Sequence, residues 1–178
     1  MTLERHPKID RLSSSTLHEG RVFRLLHEEI RLPSGLRQAI DVVEHPGAVA
    51  VLAVDDEQRV LLVRQYRHAL SDWTVELPAG RLERDEEPEM AARRELEEET
   101  GFVAKSWKHY RTIVPAPGFC SERIHIFLAR GLREVEGGGL PADADEEIEI
   151  TWMTPQEILQ TGLRDAKTLL CAALLAVD

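Results

Sequence analysis

The chain has 178 residues, enough for one well-buried core and too few for two comfortable domains. Its apolar share of 43% and charged share of 30% are those of an ordinary globular protein. A net charge of −10 leaves no basic surplus to displace counterions, which excludes a nucleic-acid backbone as the ligand.

The opening MTLERHPKID has no apolar leader core. The next signal is a pair of segments, 21–31 and 37–45, flanking Pro33-Ser34-Gly35, which predicts an antiparallel hairpin. Residues 48–54, AVAVLAV, form a continuous apolar run suited to a strand covered on both faces. Asp55-Asp56-Glu57-Gln58 turns the chain, and 59–67, RVLLVRQYR, returns as a second strand. Leu77-Pro78-Ala79-Gly80 is a short extended piece leading into a glutamate-rich helix, and further extended segments follow at 105–114, 122–130 and 148–153. Helices near 154–160 and 165–177 end the chain. The order predicts an α/β or α+β fold with a mixed sheet. The segment 136–146, EGGGLPADADE, has the composition of a mobile surface loop. The apolar C-terminal stretch TLLCAALLAV is about half a membrane span, so it reads as a buried helix and no membrane partner is expected. Cys120 and Cys171 form neither a metal spacing nor a disulfide framework, and the seven histidines are scattered; the reading is a reducing, cytoplasmic setting.

The chemistry concentrates between Gly80 and Phe102, GRLERDEEPEMAARRELEEETGF. Glu95, Glu98 and Glu99 stand at i, i+3 and i+4 and therefore share one helical face. Like charges at that spacing weaken a helix unless a cation sits among them. Hard carboxylate donors suit Mg²⁺ or Mn²⁺, and such ions recruit substrate phosphates. A charged helix is more often only a solvated outer face. Here the flanks argue otherwise: Pro88 suits the first turn, Gly101 the position past the last, and Ala91, Ala92 and Leu96 a narrow apolar side. Arg94, eight residues beyond Glu86, is placed to pair with it when the loop folds back. The fixed residue types would coincide by chance at a given start on the order of 10⁻⁸ of the time.

The pattern G-x5-E-x7-R-E-L-x-E-E-x-G-F resembles the signature of the Nudix hydrolases, with every defining position filled. The resemblance implies an α/β/α sandwich over residues 46–178, with the N-terminal hairpin of 1–45 as an added dimerisation element and a homodimer as the assembly. It implies divalent-metal-dependent cleavage of a nucleoside diphosphate derivative, with two to three Mg²⁺ or Mn²⁺ ions per site. Glu95, Glu98 and Glu99 would hold metal, joined by the carbonyl of Ala79 or Gly80, while Gly80, Glu86, Arg94 and Gly101 would be structural.

Outlying residues resemble the ADP-ribose pyrophosphatase branch. Pro117 lies fifteen residues beyond Phe102, and Pro117-Gly118-Phe119 makes a stiff turn able to offer an aromatic wall or simply to join two strands. Alternation puts Arg64 and Tyr66 on one strand face and Gln65 and Arg67 on the other. A guanidinium fork there matches diphosphate oxygens, although either arginine is also compatible with a plain surface charge. Trp73 and Glu76 fall between this strand and the motif, where Trp73 would face an adenine or pack in the core. Arg21 and Arg37 of the hairpin would reach a partner's site. The expected reaction is hydrolysis of ADP-ribose to AMP and ribose 5-phosphate; the alternatives are a nucleotide sugar such as GDP-mannose, or a non-catalytic ADP-ribose sensor. The general base is sought in the 136–147 loop, at Glu146 or Glu147 with Asp143 and Asp145 behind them. Some relatives carry an acid where this chain has Ala144, and Glu146 is also eligible as a metal ligand.

Overall fold

The computed structural model describes residues 8–135 and 147–177. Two compact units divide the chain. One comprises residues up to Gly47 together with Val114–Ile124; the other comprises Ala48–Ile113 and the chain from His125 onward. Segment 114–124, which sequence reading leaves in the second domain, thus clusters with the N-terminal strands.

The first unit is a three-stranded antiparallel sheet, β1 (Asp10–Glu19), β2 (Arg24–Arg31) and β3 (Arg37–Glu44), in that order. The expected hairpin is β2–β3. Strand β1 was not expected, because RLSSSTLHE has no apolar alternation and nearly every residue of it is exposed. What holds it is polar: Arg11 Nη1 and the Ser14 hydroxyl donate to the buried carboxylate of Glu28 on β2 at 2.9 and 3.0 Å. Segment 114–124 joins β3 through Val43 N–H to the Phe119 carbonyl (2.7 Å) and Ser121 N–H to the Val43 carbonyl (2.9 Å).

The second unit is built on a seven-stranded sheet. Its elements are β4 (Ala48–Val54), β5 (Val60–Arg67), a 3₁₀ turn (His68–Leu70), β6 (Asp72–Glu76), β7 (Ala79–Arg81), α1 (Pro88–Thr100), β8 (Phe102–Ile113), β9 (Ile124–Glu134), β10 (Ile148–Met153), α2 (Pro155–Gln160) and α3 (Ala166–Leu175). The strand order is β10-β5-β4-β9-β8; β6 pairs with β5, and β7 pairs with β4. The α/β order expected from sequence is the order found, with the short strands β6 and β7 added beside the central pair.

All of Val49–Val54 is buried, as the unbroken apolar run requires. Val49, Val51 and Ala53 meet Ala91, Ala92 and Leu96 of α1, with Leu61, Phe127 and Ala129 completing the cluster. Full burial of a side chain such as Leu96 stabilises by roughly 1.5–3 kcal/mol, so this narrow stripe fixes the roll of α1 about its axis. Once the stripe faces the sheet, the acidic positions between its residues must face the loop before the helix. Helix α1 starts at Pro88 after an extended Glu87 and stops at Gly101, whose φ of 71° lets its N–H reach the Glu97 carbonyl. Helix α2 carries a capping box between Thr154 and Glu157, and Asp165 caps α3 by accepting from the Thr168 N–H. Among the described residues, no helix is long and apolar enough to cross a membrane.

Candidate active site

The loop of residues 82–87 brings β7 and α1 together, and one side chain organises the result. Arg94 donates Nε and Nη2 to the two oxygens of Glu86, each at 3.0 Å. Its Nη1 donates to Glu95 at 2.7 Å and to Glu98 at 2.8 Å. The arginine is therefore the cation that the i, i+3, i+4 acids need. The hydrogen bonds from Arg94 hold Glu86 below the usual carboxylate range against the opposing pull of burial, and a backbone bond from Glu83 adds to them. The same bonds, to Glu86 first and then to Glu98 and Glu95, push the arginine above its ordinary value although burial acts the other way.

Glu99 is only 9% exposed, and its Oε2 accepts the Ala79 N–H at 2.9 Å, tying the last turn of α1 to β7. Glu95 lies directly over Gly80: a Cβ built there would overlap its carboxylate. Glycine at position 80 is thus a requirement of the side chain above it. Because that carboxylate is the far end of a flexible side chain, Gly80→Ala is expected to displace Glu95 while leaving the fold standing. Misplacement by about 1 Å costs activity on the order of 10²-fold. A Gly80→Ala protein with wild-type kcat/KM would show that Glu95 does not need this seat.

Glu95, Glu98 and Glu99 supply only hard oxygen donors, on one face and beside backbone left bare by a glycine; that donor set fits Mg²⁺ or Mn²⁺ and not a soft metal. Among the described residues, no three acidic, imidazole or thiolate groups already converge on one point. Glu95 and Glu98 are turned onto Arg94, which an arriving cation would have to displace.

The arginine-bearing strand divides as alternation predicts. On one face, Arg64 lies over the Trp73 ring at 4.1 Å from its centroid and donates to Glu149 at 3.0 Å; Trp73 meets Tyr66 edge-on at 5.9 Å. On the other face, Arg67 donates Nε and Nη2 to Glu76 at 2.8 and 2.9 Å. Glu76 also accepts from Thr74 Oγ1 at 2.6 Å and Lys167 Nζ at 2.5 Å, and Lys167 reaches Asp165 at 3.0 Å. Burial alone would raise the Glu76 pKa; the bonds from Arg67 and the charges of Lys167 and Arg67 outweigh it and hold the group at about 2. Sequence reading had singled out Arg67 and Glu76 separately and missed Thr74, Asp165 and Lys167. The Asp165-x-x-Thr168 cap was legible, but nothing in the sequence links it to Glu76, half a chain earlier. Gln65, on the same strand face as Arg67, has a buried side-chain oxygen without a hydrogen-bond partner among the described residues.

Arg37, Pro117, Gly118 and Phe119 belong to the first unit. Arg37 opens β3 opposite Arg31, and Phe119 is 61% exposed on the turn closed by Cys120 N–H to the Ala116 carbonyl. Glu147 is exposed just before β10, whereas Asp143, Ala144, Asp145 and Glu146 lie outside the described residues.

Comparison with known proteins agrees with this geometry. The family described as NUDIX domain matches residues 44–172. The chain is 41% identical over 161 residues to an ADP-ribose pyrophosphatase of Bacillus subtilis (strain 168), covering 88% of this chain and 86% of that one. It is 37% identical over 172 residues to a methanol dehydrogenase activator of Bacillus methanolicus, covering 94% and 92%. A crystal structure of an ADP compounds hydrolase superposes with a TM-score of 0.82 at 21% identity, covering 98% of this chain and 95% of that one, which is a likeness of fold.

Proposed function

The chain belongs to the NUDIX family of hydrolases, and from that premise we propose that it hydrolyses the pyrophosphate of ADP-ribose, giving AMP and ribose 5-phosphate. The observation that carries the proposal is the guanidinium of Arg94 shared among Glu86, Glu95 and Glu98, with Glu95 seated on Gly80. The reading of substrate is supported by 41% identity to a protein named for that activity.

Glu95, Glu98 and Glu99 are assigned to hold Mg²⁺ or Mn²⁺, two to three ions per site, with the Ala79 or Gly80 carbonyl beside them. When bound, such ions offset charge on the attacking and leaving oxygens of the pyrophosphate. The remaining work falls to the protein. Glu86 and Arg94 brace the acidic face, so the carboxylates stay gathered instead of repelling one another. Arg67 is assigned to the diphosphate, with its Nε and Nη2 held by Glu76 so that the plane of the guanidinium is fixed. Arg64, stacked on Trp73, forms a flat cationic and aromatic surface suited to a nucleobase or ribose. Glu146, or Glu147 just before β10, is assigned to take the proton of the attacking water. Arg21 and Arg37 are assigned to reach a partner's site in the dimer, and the Pro117-Gly118-Phe119 turn to offer an aromatic wall. The three-stranded sheet, exposing Leu17 on β1 and Val22, Phe23 and Leu36 in the connections between its strands, is assigned to self-association as a homodimer. The unpaired Cys120 and Cys171 favour the cytoplasm as the setting.

Purified protein with Mg²⁺ should release AMP from ADP-ribose well ahead of phosphate esters from GDP-mannose, NADH or diadenosine polyphosphates. Faster turnover of GDP-mannose would move the assignment to nucleotide sugars, and turnover of none of the four would end it.

A further inference from the structure

We propose that Lys167, the second residue of α3, is a positioning residue for the substrate arginine Arg67, acting through Glu76. The inference rests on the diphosphate role given to Arg67 above. The geometry is a chain of charge-assisted hydrogen bonds from the C-terminal helix to the strand. Lys167 Nζ bonds Asp165 Oδ1 at 3.0 Å and Glu76 Oε2 at 2.5 Å. Glu76 then grips Arg67 with both oxygens, at 2.8 and 2.9 Å, while Thr74 adds 2.6 Å to Oε1. Glu76 thus accepts four hydrogen bonds, two on each oxygen.

Exposure along this chain runs from inside to outside. The side chains of Glu76 and Lys167 are 5% and 10% exposed, whereas that of Arg67 is 40% exposed. A buried anion held from behind by one cation therefore presents a second cation at the surface. Lys167 and Arg67 share the Glu76 carboxylate, and Asp165, at the cap of α3, in turn shares the charge of Lys167, so the four groups together are neutral. What Lys167 adds is therefore placement: it holds the Glu76 carboxylate from behind, and the paired bonds from Arg67 to that carboxylate fix the plane of the guanidinium. The helix itself is anchored at this point: Asp165 caps it through the Thr168 N–H (3.0 Å), and the Thr168 hydroxyl accepts the Leu77 N–H (2.9 Å), one residue from Glu76.

The test is steady-state kinetics with Mg²⁺ and whichever nucleoside diphosphate derivative the wild-type protein turns over fastest. Lys167→Met should raise KM roughly tenfold and leave kcat within about twofold, because ground-state placement is what it loosens. Lys167→Arg, which keeps the charge, should restore most of the KM. In an Arg67→Lys background, which lacks the fork, Lys167→Met should change KM by less than about twofold. An unchanged KM in Lys167→Met, or an equal rise in both backgrounds, overturns the inference even though the wild type is active. If Lys167→Met does not fold, the KM of Lys167→Gln decides by the same criterion. A wild type inactive on every substrate removes the proposed function itself, and this inference with it.

Discussion

Glu99→Gln protein supplied with Mg²⁺ and ADP-ribose is expected to lose turnover by on the order of 10³-fold or more, with its urea midpoint unchanged. The two halves of that expectation come from different facts. Glu99 is buried and its Oε2 accepts the Ala79 N–H at 2.9 Å, a bond the amide oxygen of glutamine also makes, so β7 and α1 stay joined. Shape is retained as well. What is lost is one negative charge from a face that already carries Glu95 and Glu98, and removing charge from such a face costs the fold nothing. The same change strips an anionic donor from the set assigned to the divalent ions. Activity should fall and stability should not. Full activity in Glu99→Gln would take the carboxylate cluster out of the reaction altogether.

Stability, rather than turnover, is where Glu76 should matter most. Removing one member of a buried ion pair costs about 3–5 kcal/mol, since the partner charge is left without compensation. Glu76→Leu leaves Arg67 unanswered on its inner side, but Lys167 keeps Asp165, which places the expected loss near the lower end of that range. The acid limb of stability gives an independent check. Glu76 sits at about 2 in the folded protein against an ordinary 4.5. The unfolded chain therefore takes up the proton at higher pH than the folded one. The contribution, about 3 kcal/mol, is fully present above pH 4.5 and is lost as pH falls towards 2. Urea midpoints between those limits should drop steeply in the wild type and less steeply in Glu76→Gln. Equal slopes would mean that the carboxylate is not ionised in the folded state.

The contrast between these two glutamates shows what can be read from a sequence and what cannot. Helix α1, its Pro88 start, its Gly101 stop and the shared face of its acids were all legible, because each depends on residues within a few turns. The unbroken apolar run of β4 announced a strand buried on both faces for the same reason. Strand β1 was not legible, since a serine-rich segment pinned by a buried Glu28 carries no periodicity. Nor was the seat of Glu95 on Gly80, a contact between side chain and backbone that only the fold creates. Strand alternation told which face Arg67 takes. That its fork is already filled by Glu76, backed by a lysine from the last helix, depends on a helix returning from the far end of the chain.

Arg94 has one more implication. Four acids within a short stretch of backbone ought to make the segment collapse or unravel whenever cations are scarce. Here a built-in counter-ion gathers Glu86, Glu95 and Glu98 without a metal, so the helix does not depend on one, and an arriving cation has to draw Glu95 and Glu98 off Arg94. The relation is opposite to that of a zinc finger, in which ion and architecture arrive together. The arginine is in this sense a placeholder, occupying two of the carboxylates until a cation takes them over.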